Sequence, residues 1–225
     1  MIFTDLPFLL YFFPLFLLIY LSVHKKINLA NLIIIIFSLI FYASFGIKNI
    51  PILIIPLVLD YLVAILIHRT KSKSWSTLLL IIAICANLGL LIYFKYFYFF
   101  LITTQNLLLK DILNPALYSG IVAPIGISFI TFQRISYVID IYRKKTIPTT
   151  NFLQYATYAS LFPHLISGPI VRFAQIKDQL GKRIINPKTI FEGTKYLVFG
   201  LAFKLLIADQ LFISEQMIIE NISQI

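Results

Sequence analysis

The sequence predicts an all-α, polytopic helical membrane protein with six to seven hydrophobic segments, one of them re-entrant. Three observations predict it. Of 225 residues, 60% are apolar and only 12% are charged, about half the charged share of a soluble domain. The apolar residues gather into runs near the 20-residue length that a helix needs to cross a hydrocarbon core of about 30 Å. The positive charges, 19 Lys and Arg against 9 Asp and Glu, fall in short clusters between those runs, as membrane topology demands. This composition excludes a soluble globule and a disordered chain. Strands of a membrane barrel would alternate polar and apolar residues, and these runs do not. A disulfide scaffold is excluded because Cys85 is the only cysteine. It lies in the run LLLIIAICANLGLLIY and is expected to be a buried, inert thiol. The net charge of +10 shows no basic stripe interleaved with aromatics, so no nucleic-acid partner is expected.

The first run, 3–23, has no basic residues before it and carries Asp5; Lys25 and Lys26 follow it. A cleaved signal peptide has the reverse order. The run is therefore expected to be a retained span with its N-terminus outside. Further spans are expected at 29–45, 51–67, 77–101, 121–142 and 190–212. Lys25 and Lys26, then Arg69, Lys71 and Lys73, then Arg143, Lys144 and Lys145 mark one side, expected to be cytoplasmic. The opposite loops hold Lys48 alone, then Lys110 offset by Asp111.

The run 152–171 conflicts with this pattern. If it crossed, residues 172–188 would lie outside with Arg172, Lys177, Lys182, Arg183 and Lys188 against Asp178. Pro163, Gly168 and Pro169 also interrupt it, and proline in a helix interior removes a hydrogen bond. A segment that dips in and returns as broken helices resolves the conflict. Such backbone is tolerated at membrane depth where protein buries it or where it lines a wet cavity. The competing reading is a plain crossing. Residues 172–188 read either as an interfacial segment resting on Phe173, Ile176, Leu180 and Ile184, or as a solvated loop.

Charges within apolar spans are candidates for function. The fifth run reads APIGISFITFQRISYVIDIYRKK. Gln133, Ser136, Asp140 and Arg143 fall on one helical face, and Asp140 and Arg143 are spaced to pair. Ser128 and Ser136 suit hydrogen bonding between helices; Gln133 and Arg134, near mid-segment, are candidates for a binding role. Asp60 is expected either to be a buried structural partner or to sit at the cytoplasmic third of its span, and Lys95 to snorkel among interfacial aromatics. Lys195 and Lys204 are expected to snorkel or to pair with Glu192 and Asp209. His24 and His68 lie at span ends. His164, in LFPHLISGPIVR, is either a general-base candidate or a satisfied polar contact. No metal spacing, G-x-S-x-G, Walker A or G-x-G-x-x-G occurs.

Three blocks, PIGISFITFQRISYVIDIYR (124–143), ASLFPHLISGPIVRFAQIKDQL (159–180) and GLAFKLLIADQL (200–211), resemble the membrane-bound O-acyltransferase family, in its alginate O-acetyltransferase-like branch. The resemblance covers essentially the whole chain. It implies helices and re-entrant segments around a tunnel. An acyl donor, acetyl-CoA or an acyl carrier, would enter from one face as substrate, and a hydroxyl of an exported cell-surface polysaccharide from the other. It implies the plasma (inner) membrane, multi-pass, with a periplasmic or extracellular acyltransferase as a partner beside the lipid bilayer, and no bound cofactor or metal. Gln133, Arg134, His164, Pro169 and Arg172 would be wall or binding residues. Ser136, Asp140, Arg143 and Gly168 would be structural polar or turn positions. Arg172 would hold a phosphate or carboxylate, or anchor a lipid headgroup. The family's catalytic histidine lies downstream, in a segment rich in Trp and Arg. No residue here matches it, and the only tryptophan, Trp75, is expected in a cytoplasmic loop. The 225 residues therefore resemble the N-terminal half of a transmembrane domain, expected to be incomplete for catalysis alone. The alternatives are a non-catalytic scaffold or transport subunit, and a secondary transporter, for which no inverted repeat is visible.

Overall fold

The computed structural model describes residues 2–108, 122–166 and 168–223, and every regular element among them is helical. The contacts divide the chain into two units, Phe16–Lys182, and Met1–Leu15 with Arg183–Ile225.

The larger unit holds α1 (Phe13–Val23) from Phe16 onward, then α2 (Ile27–Ala43), α3 (Asn49–Arg69) and α4 (Lys73–Leu91). A π-helical turn, Ile92–Tyr96, leads into α5 (Phe97–Leu108). Helix is the form these segments must take, because only internal backbone pairing satisfies every donor and acceptor in hydrocarbon. The expected spans 29–45 and 51–67 correspond to α2 and α3. The span expected at 77–101 begins earlier, because Ser72 caps α4: its Oγ accepts the Trp75 amide at 3.4 Å. Trp75 thus lies in the first helical turn and not in a loop. The continuous apolar helix Lys73–Thr104 has 32 residues, about 48 Å and more than a bilayer core requires.

The run expected as the fifth span contains α6 (Ile127–Tyr142). Its expected start at Ile121, like the loop residues Lys110 and Asp111, lies outside the described residues. Gly126 precedes α6 at φ +71°, and a Cβ there would overlap the Leu165 carbonyl, so only glycine fits. α6 is the buried centre of the unit, packed on α3, α4, α7 and α8. Ile127, Ile130, Tyr137, Val138 and Ile141 are all buried on it.

The run 152–171 is not one helix. It gives α7 (Phe152–Ser160), a break at Leu161, the single turn α8 (Phe162–Leu165), non-helical backbone over the described residues that follow, then α9 (Phe173–Gly181). Gly168 takes φ +131° in the returning strand of chain. Nine residues of α7 span about 14 Å, half of what a crossing needs. In α9, Phe173 and Leu180 are buried. Ile184 lies beyond the helix and is 75% exposed, so the interfacial face ends earlier than its apolar spacing implies.

Cys85 is exposed, contrary to the buried thiol expected. In a membrane helix an apolar outer face meets lipid, so hydrophobic surroundings in sequence do not mean burial in the fold.

In the smaller unit, α10 (Pro187–Phe203), a π-helical turn (Lys204–Ala208) and α11 (Asp209–Ser223) form a continuous helix. Its portion Pro187–Gln216 is long and apolar enough to span. Asn186 caps it by accepting the Thr189 amide at 2.8 Å, and Pro187 occupies the first helical position, where a missing N–H costs nothing. The unit also contains a π-helical turn at Phe8–Phe12 and the first residues of α1.

Candidate functional site

The broken segment can be tracked against α2 as a ruler. At its start, Asn151 Nδ2 donates to Asn28 Oδ1 at 3.2 Å, in the first turn of α2. Thr157 Oγ1 donates to the Asn31 carbonyl at 3.4 Å. At its deepest measured point, the Phe162 amide donates to Ser38 Oγ at 3.0 Å, ten residues or about 15 Å along α2 from Asn28. On return, Asn31 Nδ2 donates to the Leu180 carbonyl at 3.1 Å. The segment therefore enters and leaves at the same end of α2, the end that follows Lys25 and Lys26.

α6 gives the same result from the other side. It starts at Gly126 against Leu165, and Ile125 just before it accepts a bond from Tyr42 at the far end of α2. It ends at Tyr142, before Arg143, Lys144 and Lys145. Arg172 has already returned to that basic end: its Nη1 lies 4.0 Å from Asp140 Oδ1. Arg172, Lys177 and Lys182, which a plain crossing would place outside, are thus brought back to the basic side, which removes the charge conflict for these residues.

Polar groups of α6 fasten the turn. Gln133 is buried and its Nε2 donates to the Tyr158 carbonyl at 3.2 Å. Tyr158 Oη donates to the Val171 carbonyl at 3.0 Å and contacts the Gln133 carbonyl at 3.4 Å. Phe173 meets Tyr137 and Tyr158 edge-on, with centroids 5.0 and 5.2 Å apart, a favoured aromatic geometry. The Arg172 amide donates to Gln175 Oε1 at 2.9 Å, which fixes the start of α9. The Arg172 side chain is 57% exposed, whereas Asp140 is 8% exposed. At 4.0 Å the contact is a loose ion pair, and it leaves most of the guanidinium free for an anion.

Helical spacing had suggested Arg143 as the partner of Asp140. Arg143 instead follows the last turn of α6 as its exposed C-terminal cap, and the salt bridge of Asp140 goes to Arg172. Ser136 Oγ donates to the Gln133 carbonyl of its own helix at 2.7 Å, and its hydroxyl also bonds the Tyr158 side chain of α7, a link between helices of the kind expected. Ser128 also links helices, accepting from Lys95 Nζ at 3.2 Å.

Arg134 is not at the turn. It is buried between α3, α4 and α6, with its Nε 3.3 Å from Asp60 Oδ2. Its Nη1 donates to the Leu53 carbonyl at 3.3 Å and its Nη2 to Asn87 Oδ1 at 3.2 Å. Asn87 Nδ2 completes the cluster on Asp60 Oδ1 at 2.8 Å. A guanidinium 1% exposed and a carboxylate 3% exposed neutralise each other, which makes Arg134 a structural group beneath the site. Asp60 fills the structural role its position implied. Asn87 was missed, because an amide in an apolar run carries no charge signal.

His164 lies in α8 at the deep end of the turn, and its Nδ1 is buried with no hydrogen-bond partner among the described residues. The satisfied polar contact expected for it is therefore absent. Gly168 and Pro169 are exposed on the return path. The structure thus gathers Gln133, Asp140, His164, Gly168, Pro169 and Arg172 around one doubled-back segment, and leaves Arg134 and Arg143 apart.

No protein-family model and no solved structure matches the chain. Among curated proteins, it is 35% identical over 219 residues to a probable alginate O-acetylase of Pseudomonas syringae pv. tomato, an alignment covering 95% of this chain and 41% of the relative. It is 36% identical over 217 residues to that of Azotobacter vinelandii, covering 94% and 42%. It is 34% identical over 199 residues to a peptidoglycan O-acetyltransferase of Helicobacter pylori, covering 76% and 37%. The chain spans about two fifths of the length of these relatives. By sequence it is a homologue of the N-terminal part of alginate O-acetylases and peptidoglycan O-acetyltransferases, enzymes of the membrane-bound O-acyltransferase type.

Proposed function

We propose that this chain forms the donor-side wall of an O-acetyltransferase that modifies hydroxyls of an exported polysaccharide. The observation that carries the reading is the doubled-back segment 152–180, built from the blocks most like the family and fastened to α6. Backbone of this kind persists at membrane depth where it lines a cavity or is buried by protein. The acyl donor is acetyl-CoA or an acyl carrier, reaching the site from the cytoplasmic face of the plasma membrane, with the N-terminus outside. The acceptor approaches from the opposite face, where a periplasmic or extracellular acyltransferase partner hands the sugar on.

Arg172 offers an exposed planar cation for a donor phosphate or carboxylate. Gln133, Gly168 and Pro169 shape the path beside it. His164 is placed as a wall residue. Activating a sugar hydroxyl needs a general base, and that base is supplied from outside these 225 residues.

The test uses membranes containing this chain, alone or continued by the unmatched remainder of the Pseudomonas syringae relative. Labelled acetyl-CoA is the donor, and alginate or peptidoglycan fragments are the acceptors. Transfer by the continued chain and none by the chain alone supports the proposal. Transfer by the chain alone, or none by an inserted continued chain, overturns it.

A further inference from the structure

The buried ion pair of α3 and α6 is not closed on itself. Arg134 Nε and Asp60 Oδ2 are 3.3 Å apart, about 0.4 Å beyond the range of a charge-assisted hydrogen bond. Neither atom completes a hydrogen bond among the described residues. Tyr155 reaches the pair from α7. Its ring stacks on Tyr61, the residue after Asp60, with centroids 5.5 Å apart, and its hydroxyl feels the charges of both Asp60 and Arg134. Tyr155 is wholly buried, and its Oη also has no hydrogen-bond partner among the described residues. Thr131 lies one turn before Arg134 on α6. It too is wholly buried, with Oγ1 unpartnered. Four polar atoms that burial makes costly to leave unpaired thus belong to one neighbourhood of α3, α6 and α7.

The chemistry of these atoms selects their ligand. Asp60 Oδ2 accepts, Arg134 Nε donates, and the two hydroxyls can do either. The charges of the pair cancel, so an added ion of either sign would stand uncompensated among packed helices. The ligand must be neutral, small, and both donor and acceptor. Water meets all three conditions, and buried waters typically join about three polar groups that otherwise lack partners.

We propose that Asp60, Arg134 and Tyr155 hold an ordered water. It accepts from Arg134 Nε and from the Tyr155 hydroxyl and donates to Asp60 Oδ2, and Thr131 Oγ1 takes its second proton. The water ties α7, the inbound arm of the doubled-back segment, to the ion pair at the centre of the larger unit. The inference does not depend on acetyl transfer.

The full chain in lipid nanodiscs is exposed to brief X-ray pulses in water carrying a heavy oxygen isotope. Radicals formed from a bound water label the side chains beside it even where bulk solvent does not reach. Tyr155 should take up the isotope, and Phe173, 1% exposed, should not. The label should fall about tenfold in Asp60→Leu with Arg134→Met, which removes the charged partners of the water. Stability gives a second reading. Tyr155→Phe should lower the folded-to-unfolded ratio roughly five- to tenfold in the native chain and leave it unchanged in the Asp60→Leu, Arg134→Met chain. Tyr155 labelled no more than Phe173 overturns the proposal, and with a costly Tyr155→Phe it shows a direct bond to the pair instead. Label that persists in the double variant, or a neutral or stabilising Tyr155→Phe in the native chain, also overturns it.

Discussion

Replacing Asp60 by Leu should damage the larger unit more than replacing Asp60 and Arg134 together. Arg134 is 1% exposed and has three partners, the Asp60 carboxylate, the Leu53 carbonyl and the Asn87 amide oxygen. Only Asp60 balances its charge. Removing one member of a buried pair typically costs about 3–5 kcal/mol, whereas replacing both with apolar groups is often neutral. Asp60→Leu should therefore lower the folded-to-unfolded ratio by roughly two to four powers of ten. Asp60→Leu with Arg134→Met should recover most of that loss. The assay is reversible unfolding in bicelles, read as a double-mutant cycle. A cost below about 1 kcal/mol for Asp60→Leu, or strictly additive single costs, would refute the buried-pair account.

Further outcomes follow from the turn. Gly126→Ala should prevent stable folding, since its Cβ would collide with the Leu165 carbonyl. Gly168→Ala meets no atom within 4 Å but keeps φ +131°, so it should cost only about 1–3 kcal/mol of backbone strain; unfolding curves of the two variants separate these effects. Tyr158→Phe loses the bond to Val171 and should cost about 1 kcal/mol, with faster proteolysis between residues 166 and 172. Arg172→Gln should change stability by less than about 1 kcal/mol, as expected of a largely exposed ion pair. In the continued chain it should weaken donor binding, seen as a raised KM for acetyl-CoA.

Spans were readable from the sequence because length and hydropathy report one constraint, the thickness of hydrocarbon. The break near Pro163 and Gly168 was readable because proline and glycine act locally and because Arg172 to Lys188 violated the charge rule. Partners were less readable. Asp60 and Arg134 are 74 positions apart, and nothing in either run names the other. The spacing of Asp140 and Arg143 suggested a pair, but helical periodicity ends at the cap, where Arg143 turns outward and leaves Asp140 to Arg172. Cys85 shows the same limit: an apolar run fixes neither which face meets protein nor which meets lipid.

The doubled-back path is tested most directly by cysteine labelling in sealed vesicles of known orientation. Cys85 is replaced by alanine, and single cysteines are placed at Lys144, Lys177 and Lys182. A membrane-impermeant maleimide should label all three from the same side. Labelling of Lys177→Cys or Lys182→Cys only from the side opposite Lys144→Cys would show that residues 152–171 cross the bilayer, and the account would fail.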